Sequence, residues 1–174
     1  MESDLIHSTL SETWNNDIPP IAFEVDTSGT TMELTKFPQP GCYLKLSRGP
    51  SKDQTFEVWG YRSEKSDYGL LKKIIQRLFY DSKYIPLRLR NKGHVNLAGV
   101  KRISREFTTS RGANKKRWSA VLVPSPDGEP YGLVVLFSIY VGVRKLGLSS
   151  VVKHPVHARL AKSFGLSHTR TAMK

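Results

Sequence analysis

Residues 55–90 constrain the fold most, because a strand, a helix and a second extended segment follow one another there. Thr55 to Arg62 alternates as a strand does: Phe56, Val58 and Gly60 point one way, Glu57, Trp59 and Tyr61 the other. Ser66 or Asp67 is the N-cap of a helix over 67–80. Its apolar residues Leu70, Leu71, Ile74, Ile75, Leu78 and Phe79 form one broad stripe at about 3.6 residues per turn. Lys72, Lys73, Gln76 and Arg77 fall on the opposite side, so the helix buries one face and offers a basic one to solvent. Leu87 and Leu89 then alternate with Arg88 and Arg90, and Pro86 confines this segment to an edge strand or an extended link.

Shorter signals surround this unit. Residues 21–26 and Thr31 to Phe37 read as strands about a Ser28-Gly29 turn, and Cys42 to Leu46 as another strand before a turn at Arg48-Gly49-Pro50. Trp118 to Val123 is a strand, residues 124–130 a hairpin loop with Asp127-Gly128 at its tip, and Tyr131 to Val143 a long returning strand. That strand is apolar on both faces, which requires it to be central or covered on both sides. His154-Pro155 opens a short helix with Val156, Leu160 and Phe164 on one face, and Gly165 ends it. These elements predict an α+β domain over 21–165, an antiparallel sheet packed against one or two helices. A mobile acidic arm over 1–20 and a loose basic tail over 166–174 flank it.

Charge is unevenly placed. The chain of 174 residues carries 27 Lys and Arg against 15 Asp and Glu, a formal net charge of +12. Residues 1–35 hold seven of the acids and no Lys or Arg. An acidic arm joined to a basic body can dock on that body or on a second copy, with Leu5, Ile6, Leu10 and Trp14 as apolar anchors for self-association. Residues 83–117 hold eleven bases beside one acid, Glu106. The polyanion-binding residues expected are Lys72, Lys73 and Arg77 on the helix, then Arg88, Arg90, Lys92, Lys101, Arg102, Arg105, Arg111, Lys115, Lys116 and Arg117. Ser110 to Lys116 reads as an exposed basic loop, and bases neighbour aromatics at Arg105-Glu106-Phe107, Lys116-Arg117-Trp118 and Lys83-Tyr84. Such a surface neutralises phosphates, stacks bases, or meets anionic headgroups.

Enzyme chemistry finds no support. There is no GxxxxGK[ST] loop, no GxGxxG after a strand and no GxSxG elbow. His154 and His157 lie three apart with no carboxylate or thiol beside them, which is a poor metal site, and neither metal nor cofactor is expected. A single cysteine, Cys42, excludes an internal disulfide and fits a reducing compartment. The acidic start lacks the layout of a signal peptide and begins Met-Glu, so neither a signal peptide nor myristoylation is expected. The longest apolar run, Tyr131 to Val143, falls short of the roughly 20 residues of a spanning helix, so membrane contact is expected to be peripheral.

The strand from Phe56 to Arg62 leading into the helix 67–80, and the later hairpin 117–144 with its long final strand, resemble the layout of rhabdovirus matrix proteins across residues 40–165. The short chain and basic tail look most like the plant-infecting members. The PPxY and PTAP budding motifs of animal members are missing, since Pro19-Pro20 is followed by Ile21-Ala22. The resemblance implies a structural matrix protein that self-associates, condenses the viral ribonucleoprotein and bridges it to the inner face of an envelope. The implied partners are further copies, RNA or ribonucleoprotein, an anionic membrane surface and the cytoplasmic tail of an envelope glycoprotein. The implied places are the virion beneath its envelope and the host cytoplasm, membranes and nucleus. The alternative is an RNA-binding viral accessory protein, a silencing suppressor or movement factor without a structural role.

Overall fold

The computed structural model describes residues 22–36, 41–49, 54–79, 87–111, 114–140 and 151–166. The strands are β1 (Phe23–Glu24), β2 (Glu33–Leu34), β3 (Cys42–Arg48), β4 (Gln54–Arg62), β5 (Leu87–Leu97), β6 (Val100–Arg111), β7 (Asn114–Pro124), β8 (Tyr131–Tyr140) and β9 (Gly165–Leu166). The helices are α1 (Tyr68–Leu78) and α2 (Pro155–Ser163), with one 3-10 turn at Val151–Lys153. Seven strands make one antiparallel sheet in the order β2-β3-β4-β8-β7-β6-β5, and β1 pairs with β9 in a second sheet of two.

The expected α+β class is therefore corrected to a mostly-β fold, with two short helices among the described residues. The reason lies in residues 87–111, whose bases and glycines obscure a pair of long strands. β5 and β6 run 11 and 12 residues, joined by a tight turn at Ala98-Gly99. Both turn residues have positive φ, 49° and 87°, as the twist-matched hairpin turns demand. β5 is an edge strand, and a bulge between Leu89 and Lys92 breaks its alternation. The shorter expectations are corrected too. Among the described residues, 22–26 and 31–36 contain only two-residue strands, and Leu166, assigned to a loose tail, pairs with Phe23.

β4 and β8 are adjacent at the centre of the sheet and buried almost throughout. One face carries α1, whose Leu70, Leu71, Ile74 and Ile75 are buried, while Leu78 is only half-buried. Each such side chain contributes about 1.5–3 kcal/mol through burial. The Asp67 carboxylate caps the helix by accepting from the Leu70 backbone N–H at 2.9 Å, worth about 1 kcal/mol. The other face carries the 3-10 turn and α2, with Val151, Val152, Leu160, Ala161 and Phe164 buried. Pro155 opens α2, and Phe164 stacks on Phe23 at 5.7 Å between ring centroids, which ties β1 to the same layer.

Candidate polyanion-binding surface

Ten of the expected bases lie on three neighbouring strands: Arg88, Arg90 and Lys92 on β5, Lys101, Arg102, Arg105 and Arg111 on β6, and Lys115, Lys116 and Arg117 on β7. Glu106 is the one acid on those strands. Cross-strand partners share a face, so the register sorts the charges. Arg88 pairs with Thr108, and Thr108 with Arg117, which puts both arginines in one row. Arg102, paired with Val95, lies on that same face by alternation along β6. Lys92 pairs with Arg105 on the opposite face, the one that carries α1, and Lys116 shares it opposite Thr109. The bases expected over 83–117 are thus divided between the two faces of one sheet.

The loop expected over 110–116 is corrected as well. Ser110 pairs with Lys115 and Thr109 with Lys116, so Lys115, Lys116 and Arg117 belong to a ladder. Arg88, Arg90, Lys92, Lys101 and Lys115 are exposed, whereas Arg102, Arg105, Lys116 and Arg117 are half-buried. On α1, Lys72 and Lys73 are exposed and Arg77 is half-buried. Lys83 and the anchors Leu5, Ile6, Leu10 and Trp14 lie outside the described residues.

Packing decides which aromatics are available. Phe107 and Trp118 are buried, stacked on each other at 5.7 Å, and Phe79 at the end of α1 meets both edge-on at 5.4 and 5.0 Å. The Trp118 indole N–H donates to the Thr109 hydroxyl at 2.9 Å. Phe107 and Trp118 are core and cannot stack on bases, although Lys116 holds its ammonium 5.5 Å from the Trp118 ring. The half-exposed aromatic beside the bases is Tyr68, which sequence reasoning missed. Its hydroxyl donates to the Gly93 carbonyl at 2.6 Å, Lys92 lies 5.6 Å from its ring, and His94 meets it edge-on at 6.5 Å. Its position next to the Asp67 cap was the only sequence signal.

Arg117 makes an ion pair with Glu106 at 3.4 Å, and the five exposed bases have no acidic partner among the described residues. Burial holds the Arg102 guanidinium below its ordinary range, with the Tyr61 phenol acting the other way. The Nε atoms of Arg102 and Arg105 are buried without a hydrogen-bond partner. The histidine pair is accounted for by packing: His157 is fully buried, donates from Nε2 to the Ser138 carbonyl at 2.8 Å and lies edge-on to Phe137 at 5.3 Å. Among the described residues no three His, Cys, Asp or Glu side chains are placed to hold a metal. No described helix is long and apolar enough to cross a membrane.

No family model and no curated protein matches the sequence. Solved structures with a similar course include cyanobacterial PsbP from Synechocystis, at 11% identity and TM-score 0.49, covering 87% of this chain and 96% of that one. LpqN of Mycobacterium tuberculosis, described as involved in cell envelope biogenesis, gives 12% identity and TM-score 0.49 over 87% of each chain. A Pseudomonas aeruginosa protein described as a putative regulator of unknown function gives 12% and 0.34, over 71% of this chain and 72% of that one. The resemblance to rhabdovirus matrix proteins is corrected: no family model or curated protein supports it, and the mostly-β fold around a seven-stranded sheet is not the α+β arrangement that the resemblance implied.

Proposed function

We propose that this is a non-catalytic nucleic-acid-binding protein that holds the phosphate backbone on the wing formed by β5, β6 and β7. The observation that carries the reading is the balance on those strands, ten bases against Glu106, with five bases exposed and without an acidic partner among the described residues. The edge position of β5 leaves Arg88, Arg90 and Lys92 accessible from the side as well as from the faces. Phosphate contact without base stacking predicts binding that is sensitive to salt and indifferent to sequence. The large apolar side chains exposed among the described residues, Leu34, Val100 and Tyr140, sit on three different strands and do not form the apolar face that insertion into a bilayer uses. That favours nucleic acid over a membrane surface. The matrix role came from the resemblance alone and is not carried forward.

The test is fluorescence anisotropy of a labelled single-stranded RNA over a KCl series. The variant is Arg88→Ala, Arg90→Ala, Lys101→Ala and Lys115→Ala together, all exposed positions whose removal leaves the core intact. The natural protein should show an affinity that falls steeply with salt. In the variant the log–log slope should flatten by about 0.7 for each phosphate that is no longer neutralised. Equal affinity and slope for both proteins overturns the proposal. Flotation on anionic vesicles without binding to RNA replaces it with a membrane role.

A further inference from the structure

A second site lies at the hairpin end of the basic wing. Where β5 turns into β6, the hairpin end faces the 3-10 turn and α2 across a cleft of about 380 Å³. The Ala98 N–H donates to the Ala161 carbonyl at 2.9 Å and fixes the hairpin to the helix. The floor is apolar, with Val95, Val152 and Ala161 all buried beneath it. Lys153 and Lys162 stand at the rim, both exposed and neither with an acidic partner among the described residues. No Asp or Glu lines the cleft, and residues 130–174 contain none. Ala98 lines it in a left-handed conformation, φ 49°, where Gly or Asn is the ordinary residue. A methyl group kept there at a conformational cost adds apolar surface to the wall.

An apolar floor with two uncompensated ammonium groups at its lip matches a ligand whose charge and apolar body sit at opposite ends. The volume falls within the range of small-molecule sites, roughly 300–1,000 Å³. We infer that the cleft binds a small amphiphilic carboxylate, its head held by Lys153 and Lys162 and its chain laid on Val95, Val152 and Ala161. The lysine stems can lie along the chain while their ends reach the carboxylate. This site is independent of the nucleic-acid reading, and its test is made without nucleic acid.

The experiment titrates the isotopically labelled full chain with decanoate, and separately with decanol, following backbone amide shifts. Saturable shifts are expected at Val95, Ala98 and Ala161, with decanol binding about tenfold more weakly or worse. Lys153→Ala with Lys162→Ala removes only exposed groups and should weaken decanoate about tenfold while leaving decanol unchanged. Ala158→Trp, at an exposed position in the cleft wall, should block both ligands in a protein that melts as the natural one does. Absence of saturable binding overturns the inference. So does decanoate affinity unchanged in the lysine variant, or equal affinity for decanol and decanoate.

Discussion

The Tyr61 ring lies across Gly132, its cross-strand partner, with its phenolic oxygen 2.6 Å from the point where a Cβ on Gly132 would stand. The Val123 carbonyl oxygen lies 2.5 Å from the same point. The tyrosine fills the space that the glycine leaves, and its hydroxyl is held by Ser66, 3.0 Å away, just ahead of α1. Tyr43 covers Gly60 in the same way, so two aromatic–glycine pairs secure the centre of the sheet.

Gly132→Ala should therefore destabilise the protein by about 1–3 kcal/mol, because the added methyl meets a backbone oxygen as well as a ring that is pinned at its tip. Gly165→Ala meets nothing within 4 Å and serves as the control, with no measurable destabilisation. Urea unfolding of the two variants checks this. A destabilisation of the control equal to that of Gly132→Ala would show that crowding is not the cause.

The phase of α1 gives a second test. Ile74 is buried between helix and sheet, and Ile74→Ala should cost about 2–5 kcal/mol. Leu78 is half-buried and should cost less than Ile74, while Lys72→Ala, on the exposed side, should stay within about 0.5 kcal/mol of the natural protein. Equal costs at positions 72 and 74 would contradict the orientation of the helix.

Elements marked by a local signal were legible in the sequence. Alternation gave the strand through Phe56 and Val58, the Asp67 cap and apolar stripe gave α1, Asp127-Gly128 gave the β7–β8 loop, and Pro155 gave the start of α2. The β5–β6 pair escaped because the bulge after Leu89 shifts its phase and because charge at Arg90 and Lys92 masks the apolar rhythm of Val95 and Leu97. The basic surface was legible only as composition. Which face each base takes depends on register, and that set Arg105 against Arg117 and sent Phe107 and Trp118 into the core.

Acid should weaken the attachment of α2. Burial, the largest effect, holds His157 down to about 4; the Ser138 carbonyl opposes that shift and His154 reinforces it. His154 is also lowered, by burial and then by Arg48, and its ring lies 6.0 Å from that of His157. Between about pH 4 and the ordinary histidine value of about 6.5, the unfolded chain binds the proton that folded His157 refuses. Stability is therefore fully present above about pH 6.5 and is lost as pH falls toward 4, by an amount on the order of 3 kcal/mol from this residue. Unfolding free energies at stepped pH check the slope. His157→Gln, which removes the titrating group, should flatten the profile in that window, and an unchanged profile would assign the acid sensitivity elsewhere.

The last expectation joins stability to binding. Glu106 sits within the basic wing, its Oε1 3.4 Å from Arg117 Nη2, with both side chains mostly buried. It faces Ser119 in the ladder and is the acid that neutralises Arg117. Glu106→Gln keeps the side-chain volume and a carbonyl acceptor while removing the negative charge. The change should lower stability by about 1–3 kcal/mol, because it takes one charge from a mostly buried pair while leaving an acceptor for the guanidinium. It should also raise affinity for single-stranded RNA and steepen the log–log salt slope by up to about 0.7, the increment for one further phosphate neutralised. Arg88, in the same row as Arg117 across Thr108, would lie beside that further phosphate. Anisotropy over a KCl series measures both quantities. A slope unchanged by Glu106→Gln would place Arg117 outside the RNA-binding surface and limit that surface to the exposed bases of β5 and the β6 and β7 ends.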